Sequence, residues 1–139
     1  MIKLKLSIKH LLTFKKLFIM AENITVDPKD AEDNKIMAIL AYLGILVLVP
    51  IFAAKESPFA RYHANQGLLL IIALTVLVIA EWIIMFILAL ISPTLALFFS
   101  LIYLLNLGIF VLMIIGIINA AKGECKPLPL IGNLFTIIK

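Results

Sequence analysis

A long apolar stretch covers residues 67–91, and it constrains the fold of this chain more than any other feature. It holds twenty-five residues with one charged side chain, Glu81, near its middle. As a helix it would extend about 37 Å, which exceeds the roughly 30 Å hydrocarbon core of a bilayer. Two further uncharged stretches cover residues 36–54 and 95–121. The pattern predicts three transmembrane helices over these ranges.

The composition supports this interpretation, because 64% of the residues are hydrophobic and only 14% are charged. Such a chain has too few polar residues to cover a water-exposed surface, so we expect the lipid bilayer to surround it. The fold class predicted is all-α, an integral membrane helical bundle in the cell membrane. The net charge of +4 does not indicate a nucleic acid partner, since the lysines lie in tails and loops, where they meet lipid headgroups.

Three regions follow from the distribution of charge. Residues 1–19 are basic and hold no acid, which indicates either an amphipathic leader on an anionic membrane surface or a mis-called start, with translation beginning at Met20. Residues 20–35 form a polar, acidic N-terminal segment. Residues 36–139 form the membrane helical domain, and its last part, residues 130–138, is too short to span and is predicted to be interfacial.

Local patterns predict where the helices begin and pack. Asp27 before Pro28, and Ser57 before Pro58, each have the form of a helix start. In the first apolar stretch the small residues Ala38, Ala41 and Gly44 predict close approach by another helix, and Pro50 predicts a kink. The third stretch carries small residues at Gly108, Gly116 and Ala120, which we expect to pack against the first helix.

The loop before the second helix concentrates polar residues. On a helix Arg61 and Asn65 are four residues apart, as are Tyr62 and Gln66, with His63 between them. This spacing predicts a short polar surface at one membrane face. One interpretation is an interfacial belt in which Arg61 meets lipid phosphate, and the other is a docking or gating site.

The same block carries a resemblance to a known family. Residues 57–67, with the core His63-Ala64-x-Gln66, and the pair Gly123 and Pro127 after the last helix resemble a family of small prokaryotic membrane proteins of unknown function. That family is grouped with the Tic-type component of chloroplast protein import. The resemblance covers roughly residues 35–139. It implies a multi-helix integral membrane protein, with protein translocation as the role of the plastid relatives.

Glu81 is the main candidate for chemistry inside the membrane, where an ionisable side chain is expensive. The short connection at residues 92–94 predicts a tight hairpin that places Asn106 at the depth of Glu81, with Tyr103 one turn away. We expect a neutral Glu81 to donate a hydrogen bond to Asn106. Three interpretations remain: a bond that fixes the hairpin register, a proton or ion relay, and a contact with a second copy of the chain.

No pattern typical of an enzyme is present, and the sequence predicts no catalytic, cofactor-binding or metal-binding residue. The leading hypothesis is a non-enzymatic integral membrane protein that acts through helix–helix contacts, as an accessory or translocation-related component. Its partners would be the bilayer and a membrane protein or another copy of itself. The alternative is a small oligomeric transporter or channel with Glu81 and Asn106 near its path. With three spans the loop at residues 55–66 and the C-terminus share one side, favoured as the inside, and the N-terminus lies opposite.

Overall fold

A computed structural model describes residues 11–12 and 26–138, and these residues contain helices and no strands. The basic leader and the alternative start at Met20 therefore lie outside the described residues, apart from residues 11–12. From residue 26 onward the chain forms six α-helices and two 3-10 segments. The α-helices are α1 Pro28–Asp33, α2 Lys35–Leu40, α3 Leu48–Ala53, α4 Pro58–Ile91, α5 Pro93–Phe99 and α6 Leu105–Lys122, and the 3-10 segments are Gly44–Val47 and Ser100–Leu104.

Two long apolar helical stretches form an antiparallel hairpin. The first is α4, with 34 residues, and the second runs 30 residues from Pro93 to Lys122 through α5, a 3-10 segment and α6. Both are long and apolar enough to cross a membrane. The predicted start of the second helix is confirmed, because the Ser57 side chain caps α4 by accepting a hydrogen bond from the Ala60 amide at 3.0 Å.

The first predicted transmembrane helix, over residues 36–54, is not a continuous helix in this structure. It breaks after α2, and Gly44 takes a φ of 62°, a conformation that glycine adopts without steric cost. The chain then returns through a 3-10 segment and α3. We call residues 34–57 the re-entrant segment. Gly44 thus serves the turn rather than helix packing, since no atom lies within 4 Å of the position where its Cβ would be.

Both ends of the re-entrant segment lie at the same end of the hairpin. The Asp30 carboxylate in α1 accepts a hydrogen bond from the Phe59 amide at the start of α4, at 3.0 Å. The expectation that the N-terminal segment lies opposite the loop at residues 55–66 is therefore wrong for α1. The physical reason is the turn at Gly44, which reverses an apolar run that has the length to span.

The packed core lies at this end of the hairpin, in a part that we call the head: residues 26–70 and 116–138. Its largest buried side chains include Tyr42, Phe59, His63 and Leu128. Beyond Leu70 the only buried residue of α4 is Glu81, and α5 buries none. The sides of the hairpin are apolar and exposed, as at Trp82, which is 72% exposed. This distribution suits a head at a membrane face and a hairpin surrounded by lipid.

Close backbone approach joins the hairpin to the re-entrant segment. A Cβ at Gly67 would overlap the Ala41 carbonyl group, and a Cβ at Gly116 would overlap the Tyr42 ring. Small residues of the third predicted helix therefore do pack against the first segment, as expected. Gly108 is the exception, because nothing lies within 4 Å of its Cβ position.

Candidate functional site

The polar block at the start of α4 points mainly into the head rather than forming a polar surface. His63, Asn65 and Gln66 are buried, whereas Arg61 and Tyr62 are partly exposed. The expectation of one shared surface is therefore wrong for the three buried residues. The head contains extended polypeptide whose backbone groups need partners, and these side chains supply them.

Gln66 clamps a turn of the C-terminal tail. Its Nε2 donates to the Gly132 carbonyl oxygen at 2.9 Å, and its Oε1 accepts from the Leu128 amide at 3.0 Å. A Cβ at position 132 would overlap Leu128 and approach Gln66, so only glycine fits there. The turn projects Leu130, which is 91% exposed and has a φ of 69°.

Asn65 holds the last part of the same tail. Its Nδ2 donates to the Phe135 carbonyl oxygen at 3.3 Å, and its Oδ1 accepts from the amides of Ile137 and Ile138. The predicted interfacial segment is thus docked on α4 by two adjacent amide side chains. Two neighbouring amides at the start of an apolar helix were the sequence signal for this docking, since buried amides require partners.

His63 lies at the centre of an aromatic cluster. Its Nδ1 is hydrogen-bonded to the Tyr42 hydroxyl at 2.9 Å. The rings of Phe59, Tyr62 and Tyr42 surround it edge-on, with centroid distances of 4.6, 5.4 and 5.7 Å. Among the described residues the His63 Nε2 and the Tyr62 hydroxyl have no hydrogen-bond partner. The cluster joins α4 to the re-entrant segment.

Asp30 was not predicted as part of this site, although it completes the cap of α4. One carboxylate oxygen accepts from the Phe59 amide, and the other accepts from Asn34 Nδ2 at 2.8 Å. A negative charge at this helix end is favourable because the free amides there carry partial positive charge. Burial, with a smaller contribution from Asp30, also raises the pKa of the nearby Cys125 thiol to about 12.

Inside the hairpin Glu81 meets Asn106, as predicted. The Asn106 Nδ2 donates to Glu81 Oε2 at 2.8 Å, and it also approaches the Tyr103 carbonyl oxygen at 3.3 Å. Asn106 is therefore the donor and Glu81 the acceptor, whereas we expected Glu81 to donate. The Tyr103 side chain is exposed, so only its backbone takes part. Glu81 Oε1 and Asn106 Oδ1 are buried without a partner in the described part of the chain.

Candidate metal ligands do not converge in residues 26–138. No group of three or more histidine, cysteine, aspartate or glutamate side chains is arranged there to hold a metal ion. The described contacts of the site join separate parts of the chain. The buried amides, the His63 cluster and the Asp30 cap hold the re-entrant segment and the tail against α4.

Comparison with known proteins identifies the family. The model of the magnetosome magnetite crystal formation protein family, MamF/MmsF, matches residues 33–135. The chain belongs to this family. The magnetosome protein MamF of Magnetospirillum gryphiswaldense is 32% identical over 125 residues, which cover 86% of this chain and all of the relative. The family match includes the re-entrant segment, the hairpin and the tail as far as Phe135.

Two further relatives match most of the chain, and the name of one of them describes a membrane protein. The magnetosome protein MmsF of Paramagnetospirillum magneticum is 29% identical over 104 residues, covering 70% of this chain and 80% of the relative. The UPF0132 membrane protein of Methanocaldococcus jannaschii is 34% identical over 104 residues, covering 73% and 84%. No solved structure matches the chain.

The MamF/MmsF match corrects the resemblance drawn from the sequence. The block at residues 57–67 and the pair Gly123 and Pro127 belong to a magnetosome family, so the assignment to a family of unknown function related to the Tic-type import component is wrong. In this MamF/MmsF chain the block has a structural explanation. His63 and Gln66 bind the re-entrant segment and the tail, and these contacts require no translocation role.

Proposed function

We propose that this chain is a non-enzymatic integral membrane protein that contributes to magnetite crystal formation through contacts of its head. The observation that carries the proposal is the division of the molecule into an apolar, exposed hairpin and a packed head at one end. The family supplies the setting, since its description names magnetite crystal formation. The head supplies the surface on which such contacts are made.

The dimensions of the hairpin support this arrangement. From residue 71 to residue 91 the exposed part of α4 extends about 31 Å, close to the roughly 30 Å hydrocarbon core. The head then lies at one membrane face, and the re-entrant segment turns back there, beside residues 59–67 of α4. Tyr42 and Val47 hold this segment in the head, where both are buried, whereas residues 43–46 at its turn are exposed.

The membrane concerned is proposed to be that of the magnetosome, because two relatives carry the name magnetosome protein. The cell membrane is the alternative. The proposed partners are the bilayer itself and a membrane protein or a second copy of the chain that binds the head.

Replacement of the relative tests this proposal. The chain would be expressed in Magnetospirillum gryphiswaldense in place of MamF, beside a Gln66→Leu variant that releases the tail. We expect the unmodified chain to restore crystal dimensions measured by electron microscopy, and the variant to enter the membrane without restoring them. The proposal would be contradicted if the unmodified chain reached the magnetosome membrane and the crystals kept the dimensions that they have in cells without MamF.

A small oligomeric transporter or channel is the second candidate, favoured by the two unpartnered oxygens of Glu81 and Asn106 inside the hairpin. A transport path requires Glu81 to face water. Glu81 is 2% exposed and bonded to Asn106, which favours the contact role. Proton or ion flux into proteoliposomes that Glu81→Gln abolishes would reverse this preference.

A further inference from the structure

A groove opens beside the first turns of α4, between the end of α3 and the tail. Its volume is about 350 Å³. The lining consists of Ile51, Lys55, Glu56, Arg61, Ala64 and Ile138. Two cations therefore share one small space with a single carboxylate and three apolar side chains.

The two cations of the groove have no ion-pair partner among residues 26–138. Among the described residues neither Lys55 nor Arg61 forms an ion pair, because the only such pair there joins Lys126 to Glu124. Glu56 lines the same groove without pairing with either cation. The side chains that line the groove therefore have a net positive charge and several hydrogen-bond donors. A ligand with acceptor oxygens would suit them.

An exposed apolar side chain, Phe52, adjoins the groove at the end of α3. The Lys55 ammonium lies 5.8 Å from the centroid of the Phe52 ring, and Phe52 is 68% exposed. A cation held beside an exposed aromatic ring is typical of a side chain at a membrane interface. Ile51 and Phe52 thus connect the charged part of the groove to a surface suited to an acyl chain.

The groove lies on the water side of the hydrocarbon core that the hairpin spans. Ala64 lies seven residues before residue 71, which corresponds to about 10 Å along the helix. The headgroup layer lies directly outside the hydrocarbon core. The opposite wall, Ile138, is held in place by the hydrogen bond from its amide to Asn65 at 3.1 Å, so the groove depends on the docked tail.

We propose that this groove binds the headgroup phosphate of an anionic phospholipid. The Arg61 guanidinium and the Lys55 ammonium bind the phosphate, with the fork of Arg61 matching two phosphate oxygens. The acyl chains lie along Ile51 and Phe52. This lipid site goes beyond the role in crystal formation and does not depend on it, since it requires only that the head meets the membrane surface.

The test uses the purified full-length chain in a neutral detergent, titrated with short-chain phosphatidylglycerol or with short-chain phosphatidylcholine. Binding is followed by the rise in Tm and by native mass spectrometry. We expect phosphatidylglycerol to bind more tightly than phosphatidylcholine. Arg61→Gln and Lys55→Gln should each weaken phosphatidylglycerol binding about fivefold, and added salt should weaken it further.

Lys126→Gln is the matched control, because it removes the same charge from the head outside the groove. We expect it to leave the affinity for phosphatidylglycerol unchanged. If Lys126→Gln lost as much affinity for phosphatidylglycerol as the groove variants, the proposed site would be wrong, and binding would depend on the general surface charge of the head. Inorganic phosphate that binds as tightly as the lipid would overturn the lipid assignment in favour of a free-phosphate site.

Two further measurements separate a loss of lipid binding from a loss of structure. Helix content by circular dichroism should be the same in all variants, and Lys55→Gln alters only an exposed side chain. Arg61→Lys should retain more affinity than Arg61→Gln because it keeps the charge. Wild-type affinity in both Arg61→Gln and Lys55→Gln would refute the proposal, whatever the outcome for crystal formation.

Discussion

At the scale of single residues, the head depends on polar side chains that bond to backbone groups far away in the chain. Gln66 makes one donor and one acceptor bond to the tail, and Asn65 contacts three further backbone groups. Asp30 does the same for the start of α4. Removing such a side chain lowers the free energy of unfolding, because the backbone group left behind stays buried without a partner.

Gln66→Leu tests this dependence. The change keeps a similar volume but leaves the Leu128 amide and the Gly132 carbonyl without partners, so we expect the free energy of unfolding to fall by about 2–4 kcal/mol. Denaturant titration in detergent measures it. Thr75→Val is the control, since Thr75 is exposed and bonds only within its own helix. Equal effects of the two substitutions would show that the clamp does not stabilise the head.

The thiol of Cys125 gives a second test at this scale. Because its pKa is raised to about 12, the thiol is almost wholly protonated at pH 8, and the thiolate is the reactive form. We expect its alkylation rate in detergent to rise about tenfold per pH unit from pH 8 to pH 10. A Thr94→Cys, Cys125→Ser chain, with an exposed thiol, should level off above pH 9. A plateau for Cys125 near pH 9 would contradict the burial that the structure assigns to it.

The sequence grouped the polar residues of this block but did not show where their side chains point. Arg61, Tyr62, His63, Asn65 and Gln66 were grouped by four-residue spacing as one surface. Spacing along a helix gives relative direction only, and it does not show what packs around the helix. The partners of Asn65 and Gln66 lie more than 60 residues away in the chain, so no local pattern could supply them.

At the scale of elements, the hairpin was predictable and the re-entrant segment was not. A long apolar run and a Ser-Pro cap sufficed to place α4, and the short connection sufficed to bring Glu81 to Asn106. The run at residues 36–54 has the composition of a span, yet the turn at Gly44 reverses it. Hydropathy shows that a stretch is apolar. It does not show whether the stretch continues as one helix or turns back.

Contact between the re-entrant segment and α6 can be tested with two glycines of the same helix. A methyl group in Gly116→Ala overlaps the Tyr42 ring, so we expect a loss of about 1–3 kcal/mol in the free energy of unfolding. Gly108→Ala meets open space and should be neutral or stabilise by up to about 1 kcal/mol through helix propensity. Similar losses at both positions would mean that Tyr42 does not pack against α6.

The Glu81–Asn106 bond makes a prediction for the hairpin. Glu81→Gln keeps an oxygen acceptor for Asn106 and should preserve stability, whereas Glu81→Leu should lose about 0.5–2 kcal/mol. The double change Glu81→Leu, Asn106→Leu should recover part of this loss, because both partners are then apolar. Unfolding by detergent titration measures these three variants and Asn106→Leu alone. A double variant that loses the sum of the single losses would show that the two residues do not interact.

At the scale of the whole molecule, the described charges concentrate at one end. Apart from Glu81, every charged residue in residues 26–138 lies in the head, and the tip at residues 92–94 has none. The head has six cations, at Lys29, Lys35, Lys55, Arg61, Lys122 and Lys126. Since lysine and arginine favour the cytoplasmic side, we expect the head to face the cytoplasm.

The sequence predicted an all-helical membrane protein with α1 opposite the tail, whereas the structure places α1 at the same end of the hairpin as the tail. If each of the three apolar stretches crosses the membrane once, the N-terminus and the C-terminus lie on opposite sides of it. The structure has a hairpin and a re-entrant segment, which bring α1 and the tail together through α4. The side on which α1 lies follows from the Asp30 bond to Phe59, a long-range contact without a local sequence signal.

The most direct test of this architecture is the sidedness of single cysteines in a Cys125→Ser chain, labelled in sealed membranes with an impermeant maleimide. Suitable exposed positions are Glu32, Glu56, Thr94 and Lys126. We expect Glu32→Cys, Glu56→Cys and Lys126→Cys to label from one side, the cytoplasmic one, and Thr94→Cys to label from the other. Labelling of Glu32→Cys from the side opposite Glu56→Cys would show that residues 36–54 cross the membrane, and it would contradict the re-entrant architecture.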